Sequence, residues 1–317
     1  MRLAMMGTGA FAVPTFRALY DTRHTVSLLV TQPARPVHDR RRRVANPMRE
    51  LAEERRTPVL DPENVNTDEV RAAIRTYQPD LLVVCAYGQI LAGETLGVTE
   101  HGGINLHSSL LPKYRGAAPI NWAIYHGETE TGVTVIHMTE RVDAGPCIAQ
   151  ASVDILPDET ALELAPRMAE AGAWLTCRAI DSIEEGHITE IPQDPALATL
   201  APKLKKSDGQ VDWSQSAETI RNQVRAMQPW PKTFTHWQRD ESAPLSLILD
   251  AVTAEDLTLS DEPGTVIEAG KDRLLIATGS GVVRIDRIQP AGKRVLSVEE
   301  FLRGYPVKAG QRMIAGS

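Results

Sequence analysis

The stretch Gly103-Ile104-Asn105-Leu106-His107-Ser108-Ser109-Leu110-Leu111-Pro112 continues through Tyr114-Arg115-Gly116 and closes at Arg141-Val142-Asp143-Ala144-Gly145. It sets an amide, an imidazole and a carboxylate on or just after apolar, strand-like runs. Asn105 and His107 are two residues apart. Side chains alternate along a strand, so the two point to the same face. Asp143 follows a second alternating run, Val133-Thr134-Val135-Ile136-His137-Met138. If the two strands are sheet neighbours, the three polar groups meet at the carboxyl edge, where open α/β sheets bind ligands.

Working outward, strand and helix patterns alternate. Arg2 to Met6 reads as a strand, and Gly7-Thr8-Gly9-Ala10 as a turn opening a helix to Tyr20. His24 to Thr31 reads as a second strand. Asn46-Pro47 is a helix start, and Asn66 with Glu69 has the spacing of a capping box. Leu81-Leu82-Val83-Val84-Cys85 is a continuous apolar run, the mark of a strand buried on both faces. A helix is expected from Ala118 to His126, a last strand from Ile148 to Ile155, and a long helix from Thr160 to Glu184 with Pro166 inside it. The alternation predicts an α/β, doubly wound, mostly parallel sheet of Rossmann-like type.

The pattern stops near Gly186. Residues 187–207 read as a linker rich in Pro, Ala, Thr and Lys. After a helix at about Ser216 to Met227, five short strands follow, at Thr233–Trp237, Leu245–Thr253, Gly264–Ala269, Arg273–Thr278 and Gly281–Gln289. They predict a small C-terminal OB-like β-barrel. The expected domains are therefore 1–186 and 208–317, joined by 187–207.

Composition limits the function classes. The chain has 317 residues, 42% hydrophobic and 24% charged, ordinary for a globular protein. No apolar run is long enough for a membrane span, and the apolar N-terminal run is too short for a signal peptide. Three widely spaced cysteines give neither a disulfide framework nor a zinc spacing, which predicts a reducing cytoplasm. The net charge is −7, with two basic islands. From Gln32 to Arg49, six arginines, including Arg40, Arg41, Arg42 and Arg43, face one aspartate. From Pro202 to Asp240, seven cations, including Lys203, Lys205 and Lys206, face four acids.

Two motifs are set aside. Gly7-Thr8-Gly9-Ala10-Phe11-Ala12 fits the dinucleotide fingerprint, but the second strand ends Val30-Thr31-Gln32, without the acid that holds the ribose. His107, His137 and Asp143 match no metal-ligand spacing, so no metal is expected. A serine hydrolase is conceivable from Ser108 and Ser109, but no Gly-x-Ser-x-Gly elbow is present. Asn105, His107 and Asp143 together suit direct attack of an external nucleophile on a carbonyl: the amide and imidazole hold the oxyanion, and the imidazole and carboxylate move protons. Spacing alone leaves a second reading open, in which a capping Asn, a buried His and a loop Asp share no task.

Asn105-x-His107-x-Ser109-Leu110-Leu111-Pro112-x-x-x-Gly116 followed by Asp143 resembles the 10-formyltetrahydrofolate-dependent formyltransferases. Arg115-Gly116-Ala117-Ala118-Pro119-Ile120, Glu130-Thr131-Gly132-Val133-Thr134, Ala201-Pro202-Lys203-Leu204, Asp212-Trp213-Ser214, Pro229-Trp230-Pro231 and Gln289-Pro290-Ala291-Gly292-Lys293 resemble the branch acting on methionyl-tRNA. The resemblance implies transfer of a formyl group from 10-formyltetrahydrofolate to the α-amino group of methionine on initiator tRNA. It implies Asn105 and His107 at the formyl oxygen, and Asp143 setting His107 and accepting a proton. The folate would lie against Tyr87, Gly88, Gln89, Ile90 and Leu91, the turn Ser109, Leu110, Leu111 and Pro112, and Val142. It further implies tRNA contacts by Arg40 to Arg43 and by Lys203, Lys205 and Lys206, with the chain acting as a monomer. Gly9-Ala10 stands where relatives often have Pro-Asp, and Ser108 where they often have glycine. Sugar-nucleotide N-formyltransferases are the nearest rival reading; glycinamide ribonucleotide formyltransferases need no second domain.

Overall fold

A computed structural model describes residues 1–33, 46–239, 243–258 and 260–315. Arg40, Arg41, Arg42 and Arg43 lie outside the described residues. In the first half the chain runs through β1 (Arg2–Gly7), α1 (Val13–Leu19), β2 (Thr25–Val30), α2 (Pro47–Glu54), β3 (Val59–Leu60), α3 (Asp68–Thr76), β4 (Leu81–Cys85), α4 (Gly93–Leu96) and β5 (Gly103–His107). It continues through β6 (Arg115–Gly116), α5 (Pro119–Tyr125), β7 (Glu130–His137), β8 (Cys147–Asp154), α6 (Ala161–Glu184) and β9 (Leu200–Ala201).

The main sheet has the order β3-β2-β1-β4-β5-β7-β8. Strands β1 to β5 pair in parallel, as the apolar runs predict. Every residue of β4 is buried. The sheet is mostly parallel, as expected, with an antiparallel flank in which β7 runs antiparallel to both β5 and β8. The connection from β5 to β7 carries α5, and its Ile120–Thr129 clusters with the second compact unit.

Gly7 explains the discarded fingerprint. It sits opposite Cys85, and a Cβ there would fall 2.8 Å from the Cys85 carbonyl oxygen. The glycine permits close strand packing. Thr8 Oγ1 donates to the Tyr87 carbonyl at 3.2 Å, which ties the first turn to the loop after β4.

Caps follow local chemistry. Asn46 accepts from the Arg49 N–H at 3.2 Å, and Thr160 and Glu163 cap α6 reciprocally. The expected cap at Asn66 falls instead to Thr67, which accepts from the Val70 N–H. Asn66 is used elsewhere: its Oδ1 accepts from the Ala92 N–H and Thr95 Oγ1, and its Nδ2 donates to the Ile90 carbonyl.

From Lys203 onward the chain forms most of a second unit: α7 (Ala217–Ala226), β10 (Thr233–Gln238), β11 (Leu245–Glu255), β12 (Val266–Ala269), β13 (Leu274–Ala277), β14 (Val282–Pro290), β15 (Leu296–Ser297), α8 (Val298–Gly304) and β16 (Arg312–Ile314). The five expected strands are β10 to β14. The sheet is antiparallel, in the order β12-β13-β14-β11-β10-β16. A bridge between Thr265 and Arg312 brings its two edges together, so the barrel is nearly closed and OB-like. Strands β15 and β16 and helix α8 were not anticipated. Ser297 and Glu300 form a capping box for α8, whose Phe301 is fully buried among Trp213, Trp237 and Ile285 in the barrel core. Glu300 is held at a pKa of about 2, chiefly by Arg294 and then by the Ser297 N–H.

Among the described residues no helix is long and apolar enough to cross a membrane. The three cysteines form no disulfide. Phe301→Ala should lower the unfolding free energy of the barrel by about 3–5 kcal/mol. Urea denaturation followed by tryptophan fluorescence measures this, and a loss below about 1 kcal/mol would take α8 out of the core.

Candidate active site

Strand β5 presents Asn105 and His107 on one face, as alternation requires. His107 sits opposite Thr134 in β7, and Ile104 opposite His137. The end of β7 therefore lies at the start of β5, and Asp143 reaches the pair only because the following loop doubles back. The His137 N–H donates to the Pro146 carbonyl at 3.0 Å, and the backbone at Gly145 passes so close to the His137 carbonyl that no Cβ fits. Asp143 sits on this loop at φ 51°.

The three polar groups meet. Asn105 Nδ2 donates to Asp143 Oδ1 at 3.3 Å, and His107 Nδ1 lies 3.6 Å from the same oxygen. The Gly116 N–H donates to Asp143 Oδ2 at 2.9 Å. The imidazole Nε2 faces the Tyr114 carbonyl at 2.9 Å. A carbonyl only accepts, so Nε2 carries a hydrogen. Nδ1, turned to Asp143, is then the ring atom that takes up or releases a proton. The carboxylate is 10% exposed, so these donors stand in for most of its water.

Backbone in the left-handed region clusters here: Ala86 (φ 48°), Tyr114 (φ 61°), Asp143 (φ 51°) and Gly116 (φ 127°). For non-glycine residues each such conformation costs about 1–3 kcal/mol and persists only where neighbours hold it. At Gly116 a side chain has no room, because a Cβ would lie 2.5 Å from the Ala201 carbonyl oxygen.

Ser109, Leu110, Leu111 and Pro112 form a turn fastened to β7. Thr134 Oγ1 donates to the Ser109 carbonyl and accepts from the Leu111 N–H; Ser109 Oγ donates to the Lys113 carbonyl at 2.6 Å. After β4, Tyr87 and Leu91 are buried while Gly88 and Ile90 are exposed. Among the described residues the Tyr87 hydroxyl finds no hydrogen-bond partner, and burial raises its pKa. Gln89 turns inward, accepting from the Val65 N–H and donating to the Pro62 carbonyl. Ile90 is 67% exposed and Val142 52%. Their loops approach each other where Glu140 crowds Gly93. Val142 adjoins Asp143 in the chain, and Ile90 lies three residues before Gly93. His137 is separate and pairs through Nδ1 with Glu190.

In the second basic island, Lys203, Lys205 and Lys206 are exposed. Arg221 pairs with Asp158 and Glu218, and Arg225 binds the Leu156 and Glu159 carbonyls, so these two serve the fold of their own unit. Trp237 is buried, with its Nε1 donating to Gln311, and Trp230 is exposed.

A formyl transferase family model matches residues 1–180, and a formyl transferase C-terminal domain model matches residues 203–306. A methionyl-tRNA formyltransferase of Geobacter metallireducens is 41% identical over 99% of this chain and 98% of its own length. One from Rhodopirellula baltica is 42% identical over 99% of this chain and 97% of its own. The chain belongs to the methionyl-tRNA formyltransferase family. Among solved structures, an N-formyltransferase from Helicobacter canadensis, in complex with folinic acid and dTDP-3-aminofucose, aligns at a TM-score of 0.66. That match covers 89% of this chain and 97% of the other at 16% identity. HypX from Aquifex aeolicus with tetrahydrofolic acid aligns at 0.59, over 100% of this chain and 51% of its own, at 20% identity. At these identities the likeness is one of fold.

Sequence reading did not single out Tyr114, Thr134 or Gln193. Gln193 donates to the carbonyls of Asp143 and Gly145 from beyond α6. Gly116→Ala should push β6 from β9 and loosen the N–H that Asp143 Oδ2 accepts. The expected outcome is a formylation rate lowered on the order of tenfold or more, with far-ultraviolet circular dichroism unchanged; an unaltered rate would show that the Gly116 geometry is dispensable.

Proposed function

We propose that this chain transfers the formyl group of 10-formyltetrahydrofolate to the α-amino group of methionyl initiator tRNA. The observation that carries the reading is the meeting of Asn105, His107 and Asp143 in a chain about 40% identical, end to end, to relatives of that name. The formyl carbon is attacked by an unprotonated amine. An aminoacyl ester withdraws electrons from its amine, so much of it is already neutral near pH 7. As the carbonyl opens to a tetrahedral oxyanion, Asn105 Nδ2 donates to the oxygen, a donor worth about 3–4 kcal/mol, and His107 donates beside it from Nδ1 when the ring is protonated there as well as at Nε2. Asp143 holds the imidazole and accepts the proton released by the attacking nitrogen. Collapse breaks the bond to N10 of the folate, which leaves with the proton that Asp143 took from the amine, so the carboxylate is restored.

The folate suits the residues present. Ile90 and Val142 are exposed and would offer apolar faces to a pterin ring, and the Ser109–Pro112 turn is fastened by Thr134. A sugar-nucleotide acceptor is the weaker reading, because the solved sugar formyltransferases are only 16% identical. Arg40, Arg41, Arg42 and Arg43, with Lys203, Lys205 and Lys206, supply cations for tRNA phosphates, and the enzyme acts as a monomer in the cytoplasm.

The decisive assay is formylation of charged initiator tRNA, with charged elongator tRNA and an amino-sugar nucleotide as controls; preference for the sugar would overturn the proposal. Alanine at Asn105, His107 or Asp143 should lower the single-turnover rate by on the order of a hundredfold to ten-thousandfold with both substrates still bound. A near-normal rate in any variant removes that residue from the chemistry. Alanine at all four of Arg40 to Arg43 should raise KM for tRNA and flatten its salt dependence while folate binding holds; an unchanged salt slope would exclude them as phosphate contacts.

A further inference from the structure

We infer that Gln193 and Thr199 are positioning residues for the transfer step, setting Asp143 and His107 respectively. The inference rests on the proposed roles of that carboxylate and imidazole. Both residues fall in the stretch between the two matched family regions, which end at 180 and resume at 203.

The Gln193 amide is fully used. Its Nε2 donates to the Asp143 carbonyl at 2.9 Å and to the Gly145 carbonyl at 2.7 Å. Its Oε1 accepts from Arg115 Nε at 3.1 Å and Nη2 at 2.7 Å. Both hydrogens thus go to the loop and the oxygen to a single guanidinium. Fixing the carbonyls on either side of Ala144 fixes the peptide planes there, and with them the direction of the Asp143 side chain. Asp143 adopts φ 51°, a conformation that an aspartate tolerates better than most residues but that still costs free energy unless its neighbours hold it.

Thr199 acts on the other partner. Its Oγ1 accepts from the Tyr114 N–H at 2.8 Å, and its carbonyl accepts from the Arg115 N–H at 2.9 Å. Tyr114, also in the left-handed region, offers its own carbonyl to His107 Nε2. That contact selects which imidazole nitrogen carries the hydrogen. The threonine hydroxyl therefore bears on the tautomer of His107 through one residue. Pairing of Arg115 with Leu200 and of Gly116 with Ala201 continues the same strap to the Gly116 N–H, the backbone donor to Asp143. One short segment thereby holds both members of the imidazole–carboxylate pair.

A purely structural brace would change melting temperature and rate together, whatever replaced it. A positioning residue separates them. The test compares full-length Gln193→Ala, Gln193→Glu, Thr199→Val and Thr199→Ser with the parent chain in single-turnover formylation of charged initiator tRNA, with thermal unfolding run in parallel. Gln193→Glu keeps the arginine contact but turns a carboxylate oxygen toward two carbonyls. It should be as slow as Gln193→Ala while unfolding at the parent temperature. Thr199→Val should slow the reaction and shift its pH–rate profile, and Thr199→Ser should recover most of the rate. The expected losses are on the order of tenfold to a hundredfold, with KM for the folate donor changed by less than about twofold. In an Asp143→Asn background, Gln193→Ala should add little.

Parental rates for Gln193→Ala and Thr199→Val, beside a collapsed rate for Asp143→Asn, would overturn this inference and leave the proposed site intact. An equal loss from Gln193→Ala in both backgrounds would overturn the role assigned to Gln193. A parental rate for Asp143→Asn would instead bring down the site reading on which the inference stands.

Discussion

A carboxylate that is nine-tenths out of water has to be given donors, and at Asp143 their supply organises the surrounding chain. Isolated, such a charge would lose several kilocalories per mole of hydration. Here an amide from β5 and a backbone N–H from β6 take the place of water, with the Nδ1 edge of an imidazole from β5 lying 3.6 Å away. Each donor imposes a condition. Asn105 and His107 must share a face, which a strand provides. Gly116 must lie flush against β9, which only a residue without Cβ allows. Asp143 must leave the ordinary backbone regions, which the Gln193 amide makes tolerable.

The sheet sets where these conditions can be met. Its order places the switch point between β1 and β4, where the chain runs outward in both directions. The loops leaving there, Gly7 to Gly9 and Ala86 to Leu91, are tied by Thr8 and by Gln32, whose Nε2 donates to the Tyr87 carbonyl at 3.1 Å. The antiparallel flank of β7 and β8 adds a returning loop beside β5. The Asp143 loop thus arrives from the opposite strand direction and completes a three-sided site that an all-parallel sheet would leave open.

Much of this was legible in the residues. The continuous apolar run of β4 and the two-residue spacing of Asn105 and His107 are period-two signals, and they need no tertiary information. The direction of β7 was not legible, since an alternating apolar run reads the same whether its neighbours run parallel or antiparallel to it. Asn66 and Thr67 both fit a cap; only the loop at Ile90 to Ala92 decides between them. Gln193 and Thr199 left no trace because their contacts reach backbone groups 48 to 85 residues away, and a carbonyl looks the same under any side chain. The Ser297-x-x-Glu300 box, by contrast, was present in plain spacing and simply lay beyond the last strand pattern followed.

The same contacts bear on covalent catalysis. An acyl-enzyme route needs a hydroxyl within reach of the imidazole, with a third group orienting the ring. Ser109 is fully buried, and its Oγ donates to the Lys113 carbonyl; Thr134 Oγ1 is committed to the turn backbone. Of the two imidazole nitrogens, one meets a backbone carbonyl and the other faces Asp143, so among the described residues neither engages a hydroxyl. The serine and threonine hydroxyls therefore serve architecture, and the ring is left to act on groups that arrive from outside. A site with donors on one side, a proton acceptor on the other and, among the described residues, no hydroxyl engaged by the imidazole matches transfer between two bound molecules better than a step through the enzyme.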